Sequence, residues 1–548
     1  MLPMKQIARQ MIAVMAVGSV LFGCLGFTAC SGSSSSDDVR LGTKVFRMNL
    51  GTEPPTLDPI KMVDLTSYTV IQNMMRGLTL IDASGGKDMA ATPAVASHWE
   101  ILNDGKRYVF HLRKNAVWSD GQPVTAQHFI DGWQRALTPD NAADYAFFLF
   151  EIAGAKDFYD GQLTDFSQVG VKALDDKTLQ VDLLRAIPFF PALVAAPIAL
   201  PIRKDMLTAH GEHFTEAGNY ITNGPYILDT WRHEEEIILK PNPAFYGEHH
   251  LTDNLDAVQM LMINDPNTSV VMYENDELDY IETATSIPSF DVRRLRHFSE
   301  AKTSHLHRIN YIGFNTKKPP FDNVKVRQAF AMSIDRSYYP QLMQSGQEPI
   351  TGWITPGLVG YNPEAGLSFQ PEKAKKLLAE AGYPDGKGFP TVTLAYPTKY
   401  DTQKEMEIAQ YLWKTYLNVP VRLENMEWKV YLSTLKQDAP QLFRLGWFVD
   451  YPDADSFMSM MLSDSGNNQS RWRDEEYDHL VHEAAVQQDP EVRQSLYDRA
   501  QTIMLKRDVA MVPIFRAEKT YLLKPYVKGF KINEINLINL DELAIEKL

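Results

Sequence analysis

The first period along the chain is two: Lys44-Val-Phe-Arg-Met-Asn-Leu50 alternates as a strand does, and the three prolines within Gly51–Pro59 break it. Ser67 is then placed to cap a helix with Val70, Met74 and Met75 on one face, ending at Gly77. Asp104-Gly105 reads as a turn into an alternating strand that ends at Arg113, and Thr125 caps a helix running through His128 to Arg135. Strands over 170–174 and 178–183 precede a proline-rich apolar stretch, Ile187 to Pro201. Val326, Phe330 and Ile334 lie four apart on one predicted helical stripe. A second such helix starts at Pro371, buries Ala374, Leu377, Leu378 and Ala381, and stops at Gly382. A third opens with Asp489-Pro490 and packs Val492, Leu496, Ala500 and Ile503. Strands and helices alternate, so the predicted class is α/β with mixed sheets.

A different pattern marks the N-terminus. Lys5 and Arg9 precede the apolar run 11–22, which is too short for a comfortable permanent span and reads as an export signal. Cys30, with Thr28 and Ala29 before it and a Ser/Gly tether after it, resembles the acylated cysteine of a bacterial lipoprotein; Cys24 is the alternative, and an ordinary cleaved signal with incidental cysteines is a third reading. Residues 1–29 are thus expected to be a lipoprotein signal peptide and 30–43 a flexible tether.

Composition narrows the class. At 548 residues the chain has room for two or three domains, and its 44% hydrophobic and 22% charged content is that of a globular protein. Its only cysteines are those two, so the body carries neither a disulfide nor a cysteine metal site. The net charge is −15, and losing Lys5 and Arg9 with the signal leaves −17. Such a surface repels phosphate backbones and anionic lipid heads, so no nucleic-acid partner is expected, and membrane attachment would depend on the lipid.

The richest chemistry lies in Arg444-Leu-Gly-Trp-Phe-Val-Asp-Tyr-Pro452. Arg444 is suited to a carboxylate and Asp450 to an ammonium, while Gly446 allows close approach and Trp447 offers apolar wall. The set fits a zwitterion. It equally fits a strand-to-turn junction with Asp450 capping the turn and Arg444 on a solvated face.

Other parts of the chain weigh on that choice. Glu53-Pro-Pro-Thr-Leu-Asp-Pro59 with Arg76-Gly-Leu78, the turn Trp118-Ser-Asp-Gly-Gln-Pro-Val-Thr-Ala126, Thr222-Asn-Gly-Pro-Tyr226 and the block Gly313–Arg336 resemble, in this order, the peptide-binding solute receptors of bacterial ABC importers, extracellular solute-binding family 5. The resemblance spans about residues 44 to 548. It implies a three-lobed periplasmic-binding-protein fold of type II, peptide-binding class, with domain I from 44–78, 220–302 and 518–548, domain II from 79–219 and domain III from 303–517. Two chain crossings near 302 and 518 would form the hinge.

The resemblance also implies a site. An extended oligopeptide would pair with Leu65, Thr66 and Ser67 on one side and with Gly446, Trp447 and Phe448 on the other. Asp450 would take its ammonium and Arg444 its carboxylate, with Trp428 in a side-chain pocket; simple core packing is the alternative for Trp428. Phe448 replaces a cysteine found in some relatives, Thr402 replaces a histidine used for short ligands, and a lysine used for longer ones has no clear counterpart near Gln344, which leaves ligand length open. The implied function is that of a monomeric, lipid-anchored receptor that passes peptides to a membrane permease and its ATPase.

No cofactor or metal is expected. His210 with His213 and His305 with His307 are lone pairs, and Asp450, Asp453 and Asp455 lack the glycine and distal glutamate of a calcium loop. No hydrolase, nucleotide-binding or zinc-protease motif is present. The competing readings are a receptor of the same fold for a nickel chelate, haem or oligosaccharide, and a secreted peptidase or adhesion lipoprotein.

Overall fold

Strand β1 (Val45–Asn49) is buried on both faces rather than one, because it lies inside a sheet, parallel to β8 (Ala257–Leu261) on one side and β9 (Tyr280–Glu282) on the other. In the computed structural model, which describes residues 42–81, 90–247, 254–283, 285–398 and 402–546, this sheet has eleven strands. Cys24 and Cys30, the signal and most of the tether lie outside the described residues.

The sheet continues through β7 (Glu236–Pro241) to an edge at β6 (Tyr226–Arg232). In the other direction β9 pairs with β14 (Met511–Leu523), which pairs antiparallel with β10 (Ala301–Phe314). Beyond β10 come β13 (Leu442–Phe448), β11 (Val392–Pro397) and the far edge, β12 (Val421–Met426). Glu348–Pro349 adds a short strand to β14. Both parallel and antiparallel pairs occur, so the sheet is mixed as expected.

Strands β10 and β14 link the two arms of this sheet. Ala301–His305 pairs with Glu518–Leu522 beside β9, whereas Arg308–Phe314 pairs with β13. Between these stretches the register shifts, from His305 to Ile309, which is where a bulge bends and twists a ladder. Residues 302 and 518 both fall in the first stretch.

A separate antiparallel sheet comprises β2 (Ala96–Leu102), β3 (Arg107–Leu112), β5 (Thr178–Asp182) and β4 (Val171–Asp175), in that spatial order. Near it, α2 (Ala126–Leu137) buries Phe129, Trp133, Ala136 and Leu137, and the Thr125 N–H donates to His128 Nδ1 at 3.0 Å to close its first turn. Gly132 is needed there, since a Cβ would stand 2.5 Å from the Leu200 carbonyl.

Other helices depart from the sequence pattern at their ends. Helix α1 spans Leu65–Met74, and its cap is Asp64, whose carboxylate accepts from the Ser67 N–H (2.9 Å) and hydroxyl (2.7 Å). Ser67 is therefore inside the helix rather than its cap. Helix α3 (Val324–Met332) buries Val326 and Phe330 but stops before Ile334, which is buried beyond its end. In α4 (Pro371–Glu380) Ala374 and Leu378 are buried while Leu377 and Ala381 are half-buried. Helix α7 (Pro490–Thr502), capped by Asp489, buries Leu496 and Ala500 but leaves Val492, in its exposed first turn, 43% accessible. Helices α5 (Thr402–Leu417) and α6 (Trp428–Asp438) connect the parallel strands β11, β12 and β13.

Candidate functional site

Strand β13 pairs with β10 along its full length but with β11 only at Leu442 and Phe443. The Val449 N–H donates to the His307 carbonyl at 2.9 Å, which fixes the phase of the antiparallel ladder. Backbone groups of alternate residues then face β10, and those of Gly446 and Phe448 face the opposite way. Among the described residues no strand pairs with them there. The Arg444 carbonyl on that side accepts from the Tyr431 hydroxyl at 2.8 Å. Two residues with outward-facing backbone thus form a free edge next to a closed one.

The turn after β13 is locked by its own hydrogen bonds. Trp447 Nε1 donates to the Ser456 carbonyl (3.0 Å), the Asp450 N–H to Ser456 Oγ (2.8 Å), and the Tyr451 hydroxyl to Asp455 Oδ2 (2.7 Å). Arg493 holds Asp453 through two hydrogen bonds of 2.8 and 2.6 Å. The Tyr451 ring stacks on Phe189 (5.3 Å) and meets Phe148 edge-on (5.6 Å). This ties the turn to residues that follow the four-stranded sheet and the helix α2.

Asp450 stands in this frame without a cation. Its side chain is half-buried, the Ser456 hydroxyl is its one stabilising neighbour, and no ion pair reaches it among the described residues. Burial pushes its carboxyl up to about 7. Its charge in turn raises the phenols of Tyr145 and, secondarily to burial, Tyr68, so the α1 side chain and the segment before residues 146–149 both face it. Nearby Asp455 is also pushed up, to about 6, first by burial and then by Asp453.

Arg444 is different. Its Nε donates to Glu405 Oε2 at 2.8 Å, and its Nη2 lies 2.6 Å from the same oxygen and 2.7 Å from Asn310 Oδ1. With 7% of its surface exposed it is neither on a solvated face nor free to take a ligand carboxylate unaided. Glu405 lies on the first turn of α5, 39 positions earlier, and nothing in the 444–452 stretch signals it.

Sequence reasoning also missed Arg308. It pairs with Phe448 across the ladder and lays its guanidinium over that ring, 4.9 Å from the centroid. Its Nε is buried with no hydrogen-bond partner among the described residues. Burial, and then the charge of Arg444, lower its basicity to about 10. Gly446 makes room for this: a Cβ there would be 2.9 Å from Asn310 Oδ1 and 3.3 Å from Arg308 Nε. The glycine thus admits side chains of the neighbouring strand.

The remaining candidates scatter. Leu65, Thr66 and Ser67 form the first turn of α1, so they offer no extended edge; the extended backbone lies just before, where Asp64 has φ −137° and ψ 157°. The physical reason is the Asp64 cap, which draws residue 67 into the helix. Trp428 opens α6 with 39% of its surface exposed, 6.3 Å from the Tyr431 ring, and is not a core residue. Thr402 is buried at the start of α5. His307 is buried between Thr355 Oγ1 (2.6 Å) and Glu534 (3.0 Å). Among the described residues no group of three or more histidines, cysteines or acids is placed to hold a metal.

Comparisons with known proteins agree with this fold. Residues 90–469 match the model of the bacterial extracellular solute-binding proteins, family 5. The periplasmic oligopeptide-binding protein OppA of Escherichia coli K12 is 34% identical over 497 residues, 88% of this chain and 89% of that protein. The probable deoxycholate-binding periplasmic protein YgiS of the same organism is 33% identical over 501 residues, 89% of this chain and 91% of that one. Among solved structures, a periplasmic oligopeptide-binding protein of Borrelia burgdorferi superposes with a TM-score of 0.81 at 30% identity, covering 92% of this chain and all of that one. The alternating sheets and helices, the block-by-block likeness and the superposition have one meaning: this chain belongs to the bacterial extracellular solute-binding proteins of family 5 and has their type II fold.

Proposed function

We propose that the protein is the receptor of an ABC importer, that it captures short oligopeptides between its lobes, and that it hands them to a membrane permease driven by an ATPase. The observation that carries this is the half-buried Asp450 carboxylate, which has no cation partner among the described residues and faces Tyr68 and Tyr145 from two other parts of the chain. A peptide ammonium is the ligand group that compensates it. The free edge at Gly446 and Phe448 supports main-chain pairing, which makes affinity independent of ligand sequence.

The YgiS relative bears a name that refers to deoxycholate, a ligand with a carboxylate and no ammonium. A ligand of that kind would leave Asp450 buried and uncompensated, which favours the peptide. Chelates, haem and oligosaccharides, which bring no ammonium either, are disfavoured for the same reason. Peptide recovered intact after incubation is the expected outcome for a receptor, and cleavage products would mark a peptidase.

In this proposal the lobes follow the expected boundaries: 44–78 with 220–302 and 518–548, then 79–219, then 303–517. Strands β10 and β14, with their register shift, supply the hinge. Cys30 carries the lipid that holds a monomeric receptor at the outer face of a membrane. Calorimetry tests the core of the proposal: a free-amino tripeptide binds, and its N-acetyl form binds at least tenfold more weakly, by the lost charge-assisted bond of about 1.5–3 kcal/mol. Equal binding of the two would refute it.

A further inference from the structure

Peptide capture needs a cation as well as an anion, and the expected one, Arg444, is already compensated by Glu405 and Asn310. We propose that Arg308 is the anchor for the ligand carboxylate, and that its place on β10 opposite Gly446–Phe448 selects peptides of two to four residues. The inference rests on the peptide reading of the Asp450 site.

Three observations carry it. First, Arg308 makes no hydrogen bond or ion pair among the described residues, and its Nε is buried and unpartnered. A half-buried guanidinium with its Nε shielded from water and its charge unpaired gains from a carboxylate, which accepts two parallel N–H bonds. Second, the side chain is aimed across β13 rather than away from it. It starts on β10, crosses above Gly446, where a Cβ would be only 3.3 Å from its Nε, and flattens on Phe448. Beyond those two residues lies the edge of β13 that no described strand occupies. Phe448 therefore acts as the platform on which the planar guanidinium rests beside that edge.

Third, the spacing is set by the strand. The Arg308 side chain lies level with Gly446 to Phe448, two to four positions before Asp450. At a rise of at most roughly 3.3 Å per residue this sets Arg308 about 7–13 Å from Asp450 along the backbone. Extended peptides of two to four residues place their ammonium and carboxylate about that far apart, whereas five residues reach beyond about 16 Å. Longer peptides would have to carry their carboxylate past Arg308.

The test uses the full chain and alanine peptides of two to six residues, each as free acid and as C-terminal amide, measured by titration calorimetry. For the unaltered protein affinity should peak within two to four residues, and the tripeptide acid should bind about 10–100-fold more tightly than its amide, the value of a charge-assisted bond. Arg308→Met should erase the acid-over-amide preference while leaving the preference for a free amino end in place. A peak at five residues or longer, or an acid preference that survives in Arg308→Met, overturns the inference and leaves the Asp450 site standing. Failure of every peptide to bind the unaltered protein overturns both. Should Arg308→Met fail to fold, the length series and the acid-to-amide ratio of the unaltered protein decide: a ratio near one rejects a carboxylate anchor, and a large ratio with a peak within two to four residues supports it.

Discussion

Arg444 and Asp450 stand six residues apart and are opposite in more than charge. The arginine is enclosed by Glu405 and Asn310, so its charge is balanced within the chain, while the aspartate is half-buried with a single hydroxyl for company. A compensated charge holds a structure together. Under the proposed function the uncompensated one awaits a ligand, because burial has raised the free energy of its ionised form and a bound cation lowers it again. The contrast separates scaffold from site within one strand and its turn.

The largest effect that would break this contrast is on binding. Asp450→Ala should cost roughly 3–5 kcal/mol of affinity for a free-amino peptide, the usual penalty for leaving a buried charge alone, with the fold intact by circular dichroism. Unchanged affinity by calorimetry would place the ammonium elsewhere. On the other side, Glu405→Ala should act on stability: it strands the Arg444 guanidinium, and chemical denaturation should show a loss of about 2–4 kcal/mol. If that variant instead keeps its stability and binds peptide more tightly, Arg444 was a ligand group held in reserve.

A smaller effect sharpens the comparison through pH. With its carboxyl at about 7, Asp450 releases up to one proton when an ammonium docks at pH 7 or below. Affinity should fall as pH drops below 7, approaching tenfold per unit, and calorimetry in buffers of different ionisation enthalpy should register proton release. Affinity flat between pH 5 and 7 would contradict the buried carboxylate. The smallest effect is on the empty protein. A carboxyl raised from 3.8 to about 7 by folding contributes stability that is complete below the unfolded value and disappears as pH rises through 7. Asp450→Asn should therefore raise Tm by a few degrees at pH 8 and leave it unchanged at pH 4.

Much of the fold is legible in the chain because its signals are local. The cap at Thr125, the stripe of Val326 and Phe330 and the proline start at Pro490 each act within one or two turns. Where the sequence pattern fails, a neighbour decides. Asp64 displaces Ser67 as the cap by offering both carboxylate oxygens, and that one substitution of roles turns residues 65–67 from an edge into a helical turn. At the site, the stretch 444–450 announces strand, glycine and charges but not their partners. Glu405 and Asn310 come from α5 and β10, and Arg308 enters only through the ladder that sets it opposite Phe448. Gly446 illustrates the limit: from sequence its missing side chain admits a ligand, and in the structure Asn310 and Arg308 pack against it.

The most direct test follows the Asp450 carboxyl itself. Carbon-13 NMR of carboxyl-labelled protein, with the resonance assigned by its loss in Asp450→Asn, should show it titrating near 7 in the empty chain and dropping by more than two units when a free-amino tripeptide is bound. Titration near 3.8 in the empty chain, or no change on adding peptide, would contradict the view that this turn holds an uncompensated anion for a ligand ammonium.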